Sequence, residues 1–392
     1  MMNISLEVSH KSLCKYGEEL CGDTIDIIKT DDSDIIILSD GMGSGVKANI
    51  LSTLTTRILG TMLRQGAKIE DCVDTIAQTL PVCSVRKVAY STFSILQIFA
   101  DGKAYLVEYD NPGCVMVRDK QIVNIPYIEK EIAGKSIKEY HFDVCLNDYF
   151  VLFSDGVTHA GVGNIMSFGW GWQRAAEYIK KACQSRKISA PRLTSMISKI
   201  CDDLYMNTPG DDTTVVVARI VPRKYVNIFT GPPTSKADDE ILMRDFMTSH
   251  GKKIVSGGTS ANIASRVLNR KIVASLSYTD PDIPPVASME GVDLVTEGVL
   301  TLNRCADMLE QYNKGDVTSR FFDHLDADNG GAMLAKILIE DCTHLNMFVG
   351  RAMNQEHQRA GLPFDLSIRM RLVEKIQKEC EKMGKSVVVK YY

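Results

Sequence analysis

Hydrophobic and polar positions divide the chain into two stretches of different rhythm. In the first, Asp34–Ser39 (DIIILS), Tyr149–Ser154 (YFVLFS) and Thr213–Ile220 (TTVVVARI) are near-continuous apolar runs. Such runs fit strands covered on both faces. Alternating segments lie between them, at Tyr90–Phe99 and Lys103–Tyr109, separated by the turn Ala100-Asp101-Gly102. Ile50, Leu51, Leu54, Ile58, Leu59 and Met62 recur at helical spacing until Gly66, which predicts a helix over 46–65. Ile69, Val73, Ile76, Ala77 and Leu80 form a second stripe that Pro81 stops. Further helices are predicted over 173–181 and 191–206. Strands around a core with helices packed outside predict an α+β unit, a β-sandwich flanked by helices.

The rhythm changes at Val221-Pro222-Arg223-Lys224. Strand-like Tyr225–Phe229, Lys253–Val255 and Val292–Val295 alternate with helical stretches over 236–250, 257–269 and through Met308–Glu310. That alternation predicts a smaller α/β domain with a parallel, Rossmann-like sheet. The last 70 residues read as mostly helical. Two domains are expected, 1–222 and 223–392, and a chain of 392 residues is long enough for both.

Composition narrows the class without naming a function. Apolar residues make up 45% and charged residues 24%, ordinary for a globular protein, and a net charge of −4 lacks the basic surplus of a nucleic-acid binder. No apolar run reaches the roughly 18 residues of a membrane span. The opening MMNISLEVSHKSL has no apolar signal core, so the expected location is cytoplasmic. Eleven cysteines, an odd number with no CxxC pair, read as reduced, mostly buried thiols.

The chemistry lies in acidic residues at strand ends. Leu38-Ser-Asp-Gly41 and Phe153-Ser-Asp-Gly156 are near-duplicates; Gly210-Asp-Asp-Thr-Thr214 opens a third strand, and Cys21-Gly-Asp23 precedes the first. A single Asp-Gly after a strand is an ordinary turn. Several carboxylates converging at one end of a sandwich would repel one another unless divalent metal neutralised them, and hard oxygen ligands suit Mg²⁺ or Mn²⁺. Of the seven histidines only His159 is near these motifs, and it reads as a solvent-exposed or loop-structural residue.

In their order, GD (22–23), SDGMGSG (39–45), FSDGV (153–157) and GDDTTVVV (210–217) resemble the PP2C superfamily of metal-dependent protein phosphatases, and within it the bacterial SpoIIE type. The resemblance covers about residues 1–220, and Asn111-Pro-Gly113 looks like a short turn of the family. It implies that Asp40 bridges two Mn²⁺ or Mg²⁺ ions, that the Gly41 carbonyl completes one, and that Asp23 contributes directly or through water. Asp155 and Asp211 would close the site, with Asp212 the less favoured of its pair. The implied activity is hydrolysis of phosphoserine or phosphothreonine on a regulatory, STAS-like protein through a metal-activated water. Met42 stands where eukaryotic relatives carry a candidate acid histidine, an absence that SpoIIE-type members share. The resemblance also implies that the helix pair over 46–65 and 69–80 is a lever on this loop, with Gly43 and Gly45 as its hinge; the alternative reading is a pair of ordinary packing helices. The alternative is a signalling adaptor or small-ligand sensor with little turnover.

In the second domain, Thr230–Ser235, Ser256–Asn262 and Thr296–Gly298 each read as a loop between a strand and a helix N-terminus. Gly257, Gly258, Thr259 and Ser260 are the candidate contacts for a small anionic ligand. Docking of a second copy, as a homodimer, is the competing role. Phe321–Gly331 lacks calcium-loop spacing and reads as a polar loop before a helix, and His344 and His357 read as structural.

Overall fold

The computed structural model describes residues 4–79, 91–185, 188–274, 285–314, 317–352 and 364–392; Leu80, Pro81, Cys83, Tyr90 and His357 lie outside them. The chain forms two compact units, Met1–Pro222 and Arg223–Tyr392.

The first unit contains β1 (Ile4–Leu13), β2 (Asp23–Lys29), β3 (Ser33–Gly41), α1 (Gly45–Arg64), α2 (Ile69–Thr79), β4 (Ser91–Phe99), β5 (Lys103–Tyr109), β6 (Val115–Arg118) and β7 (Gln121–Val123). They are followed by β8 (Tyr127–Ile132), β9 (Lys135–Asp143), β10 (Tyr149–Phe153), α3 (Asp155–His159), α4 (Trp172–Ser185), α5 (Ala190–Leu204) and β11 (Thr213–Pro222). Two antiparallel sheets result, one ordered β2-β3-β4-β5-β9-β8 and the other β1-β11-β10-β6-β7.

The strand alternation explains the unbroken apolar runs. On β3, Ile36 and Leu38 enter the core between the sheets, whereas Ile35 and Ile37 pack under α1 and α2. On β10, Phe150 and Leu152 enter the same inter-sheet core, while Tyr149, Val151 and Phe153 pack under α4 and α5. Each central strand is covered twice, so the period-two signal disappears from its sequence.

Three local features depart from the pattern reading. Helix α1 leaves Ile50 and Leu54 exposed, at 52% and 44%, and meets the sheet largely through Ala48, Ser52, Thr55, Thr56 and Gly60 beside Leu59 and Leu63. Small residues let the helix approach closely: a Cβ on Gly60 would stand 2.5 Å from Ile28 Cδ1. Strand β1 had no sequence signal, because only Leu6 and Ser9 along it are buried, yet it pairs with β11 over its full length. Asp155 does not end a strand; it opens α3.

The second unit comprises β12 (Tyr225–Thr230), α6 (Asp238–Thr248), β13 (Lys252–Ser256), α7 (Gly258–Leu268), β14 (Val273–Ala274), β15 (Ala287–Met289), β16 (Val292–Thr296) and α8 (Val299–Asn313). Then come α9 (Ser319–Leu325), α10 (Gly330–Glu340), β17 (His344–Val349), α11 (Phe364–Lys382) and β18 (Ser386–Tyr391). Its sheet is ordered β14-β15-β16-β13-β12-β17-β18, parallel from β16 to β18 and antiparallel at the β14–β15 edge. Phe229, Val255, Val295 and Phe348 face α6 and α7, while Ile228, Ile254, Leu294 and Met347 face α8, α10 and α11. The mostly helical reading of the last 70 residues missed β17 and β18. Polar residues interrupt the first (HLNMFV), and the second is an exposed edge strand.

Phe150 is fully buried between the sheets and packs on Phe142 at a ring separation of 5.6 Å. Phe150→Ala is expected to cost about 3–5 kcal/mol in chemical denaturation; a loss below about 1 kcal/mol would show that the inter-sheet core collapses around the gap.

Candidate metal centre

The acidic residues meet because of strand register. Strands β2 and β3 pair so that Asp23 stands opposite Asp40, an arrangement that is unfavourable for like charges. Both residues share strand parity with Leu38, whose side chain lies between the sheets. The other sheet supplies the remainder. Strand β10 runs into Ser154 and Asp155, and β11, its neighbour, is preceded by Asp211 and Asp212.

Ser154 ties the two halves together. Its hydroxyl donates to Asp23 Oδ2 at 2.7 Å and accepts the Thr214 N–H at 2.9 Å. The other Asp23 oxygen is buried and has no hydrogen-bond partner. Asp212 is 3% exposed; Oδ1 accepts the Lys15 N–H at 3.0 Å, and Oδ2 is buried without a partner, against Gly22. Asp155, His159 and Asp211 each bring one ligand atom to within 4.8 Å of the other two. Among the described residues, the only ion-pair partner of these five aspartates is His159, whose Nδ1 lies 3.7 Å from Asp155 Oδ2.

Burial first, and then repulsion from neighbouring carboxylates, raises the pKa of Asp23, Asp40 and Asp211. The Asp40 carboxyl is pushed well above the usual carboxylate range by desolvation and by Asp23, Asp155, Asp211 and Asp212. Asp23 is also raised, mainly by burial, although the Thr214 and Ser154 hydrogen bonds oppose the shift. Asp211 is raised by burial and by Asp155. Orphaned buried carboxylate oxygens and an all-oxygen set of repelling donors fit a hard divalent cation.

The loop after Asp40 is tightly constrained. A Cβ on Gly41 would fall 2.0 Å from the Ala48 carbonyl oxygen, so only glycine lets α1 sit this close. The Asp40 carbonyl accepts the Ser91 hydroxyl at 2.9 Å. Gly43 and Gly45 adopt φ of 100° and 67°. Glu18, which no sequence signal marked, accepts the Ser44 hydroxyl at 3.0 Å and lies against Gly45.

In the second unit, the three candidate loops follow β12, β13 and β16, which are neighbours in the sheet. Gly257 caps α7 with φ of 113°, Gly258 and Thr259 form its first turn, and the buried Ser260 hydroxyl accepts the Gly231 N–H at 2.8 Å. Strand order reverses between β12 and β17, where ligand crevices form in open sheets. Here the Arg369 guanidinium packs on Gly231 and donates to the carbonyls of Gly350 and Ala352, at 3.3 and 2.8 Å.

Comparison with known proteins puts the first unit among phosphatase domains of the PP2C type. Residues 30–221 match the family model described as stage II sporulation protein E (SpoIIE), and the first unit is a SpoIIE-type protein phosphatase domain. Among solved structures, the phosphatase domain of SpoIIE from Bacillus subtilis is 19% identical, with a TM-score of 0.41 over 57% of this chain and 95% of that one. RsbX in complex with magnesium is 17% identical, with a TM-score of 0.40 over 56% of this chain and 100% of that one. The S. agalactiae serine/threonine phosphatase is 15% identical, with a TM-score of 0.40 over 55% and 99%. No curated protein matches the chain. Among the described residues no helix is long and apolar enough to cross a membrane.

Two outcomes are expected from this geometry. Gly41→Ala should destabilise the fold by about 1–3 kcal/mol, because the clash is with backbone. Adding Ala48→Gly should not rescue the melting temperature, since the obstructing carbonyl remains. The second concerns pH. Folding raises the pKa values of Asp23, Asp40 and Asp211, so above the ordinary aspartate range the folded chain holds more protons than the unfolded one. Metal-free stability therefore falls as pH rises through the raised values, and a bound cation opposes the fall. The gain in Tm on adding Mn²⁺ should be larger at about pH 8 than at about pH 5.5; a gain independent of pH would uncouple cation binding from these carboxylates.

Proposed function

We propose that the first unit removes phosphate from phosphoserine or phosphothreonine on a regulatory protein, a STAS-like one by family resemblance. In this reading Asp23, Asp40, the Gly41 carbonyl, Asp155 and Asp211 hold two Mn²⁺ or Mg²⁺ ions. The observation that carries it is that strand register sets Asp40 opposite Asp23, while one oxygen each of Asp23 and Asp212 is buried with no partner. When bound, such cations engage phosphate oxygens, offset charge that develops during transfer and lower the pKa of water.

The protein's own residues orient the donors. Ser154 holds Asp23, Ser91 holds the Asp40 carbonyl, and the first turn of α3 carries Asp155. Ser154 is not a free nucleophile: its hydroxyl already donates to Asp23 and accepts from Thr214. Gly43 and Gly45 serve as the hinge of a lever formed by α1, with Glu18 as the contact that holds the loop. The second unit, Rossmann-like in strand order, takes the regulatory or ligand-binding role, and the Gly257–Ser260 turn is its candidate contact.

The test is Mn²⁺-dependent hydrolysis of p-nitrophenyl phosphate by the full chain and by Asp40→Ala. Losing several kcal/mol of transition-state stabilisation should lower kcat/KM about a thousandfold. A wild-type chain that binds Mn²⁺ without hydrolysing would point instead to an adaptor or sensor.

A further inference from the structure

We propose that His159 is a nitrogen donor to a cation held by Asp155 and Asp211, and that it biases this position toward Mn²⁺ over Mg²⁺. The inference rests on the metal-dependent reading of the same carboxylates, and adds a ligand that the strand-end aspartates do not provide.

Asp155 and His159 are the first and last residues of α3, four apart, so both lie on one face of a single helical turn. The imidazole Nδ1 is 3.7 Å from Asp155 Oδ2, and Asp211 reaches the pair from the start of β11. The backbone that carries His159 is fixed from several sides. The Tyr205 hydroxyl donates to the Gly156 carbonyl at 2.7 Å, the Gly171 N–H to Thr158 at 2.8 Å, and the Trp170 N–H to Ala160 at 2.9 Å. Gly169 packs so closely that a Cβ there would stand 2.9 Å from His159 Cα. The imidazole itself is 55% exposed, which leaves the ring free to turn toward a cation.

Two carboxylates and one imidazole are a mixed donor set. Mg²⁺ favours oxygen ligands and retains its waters; Mn²⁺ is also suited to oxygen donors but, as a first-row transition ion, accepts an added imidazole more readily than Mg²⁺ does. A site of oxygen donors alone would discriminate less between the two ions.

The experiment measures Mn²⁺ and Mg²⁺ binding to the full chain by calorimetry, and nitrogen coupling to substoichiometric Mn²⁺ by pulsed EPR. The wild type should show histidine nitrogen coupling. His159→Ala should remove it and weaken Mn²⁺ binding about tenfold while leaving Mg²⁺ binding unchanged. His159→Gln should likewise lose the coupling. Absent coupling in the wild type, unchanged Mn²⁺ affinity in the variants, or equal weakening for both metals would each overturn the proposal. If coupling and selective loss are seen but p-nitrophenyl phosphate is not hydrolysed, the ligand assignment stands and the phosphatase reading falls.

Discussion

Five carboxylates share one end of a two-sheet sandwich, Asp23 and Asp212 buried and Asp40, Asp155 and Asp211 half-buried, and the geometry of the first unit follows from holding them there. Left to themselves, Asp23 and Asp40 would be a costly cross-strand pair. The fold offsets part of that cost with the Ser154 and Thr214 hydrogen bonds to Asp23, while the Lys15 N–H serves Asp212 nearby. It leaves the remainder as orphaned acceptor atoms and raised pKa values. A site of this kind is stable enough to persist and unsatisfied enough to favour a cation.

Its rigidity comes from the four-layer arrangement. Central strands packed on both faces cannot shift register without moving apolar side chains out of two cores at once. The carboxylates at their ends are therefore fixed by packing far from the chemistry. The backbone is unusual at the glycines after Asp40. Gly41 is needed for close approach to α1, while Gly43 and Gly45 take backbone angles that other residues disfavour.

The second unit solves a different problem. Its parallel strands are buried by helices on both faces, and the Arg369 guanidinium lies against Gly231 where the strand order reverses. Ser260, at the start of α7, accepts a hydrogen bond from the loop after β12. That hydroxyl stitches neighbouring loops together, so its candidacy as a ligand contact competes with a structural task.

The sequence by itself carried the apolar runs, the turn glycines and the four acidic motifs in their order, because covered strands and strand-end aspartates each leave a local mark. It carried most helices to within a few residues. It did not carry β1 or β18, whose stability comes from pairing with partners distant in the chain. Nor did it carry the inward face of α1, where small residues replace the stripe that hydrophobic periodicity singles out. Only tertiary structure decided that Glu18 would meet the loop after Asp40, that Asp212 would be more buried than Asp211, and that His159 would stand beside two aspartates. These are relations between segments brought together by sheet register and helix packing, and a local pattern of residues holds no record of them.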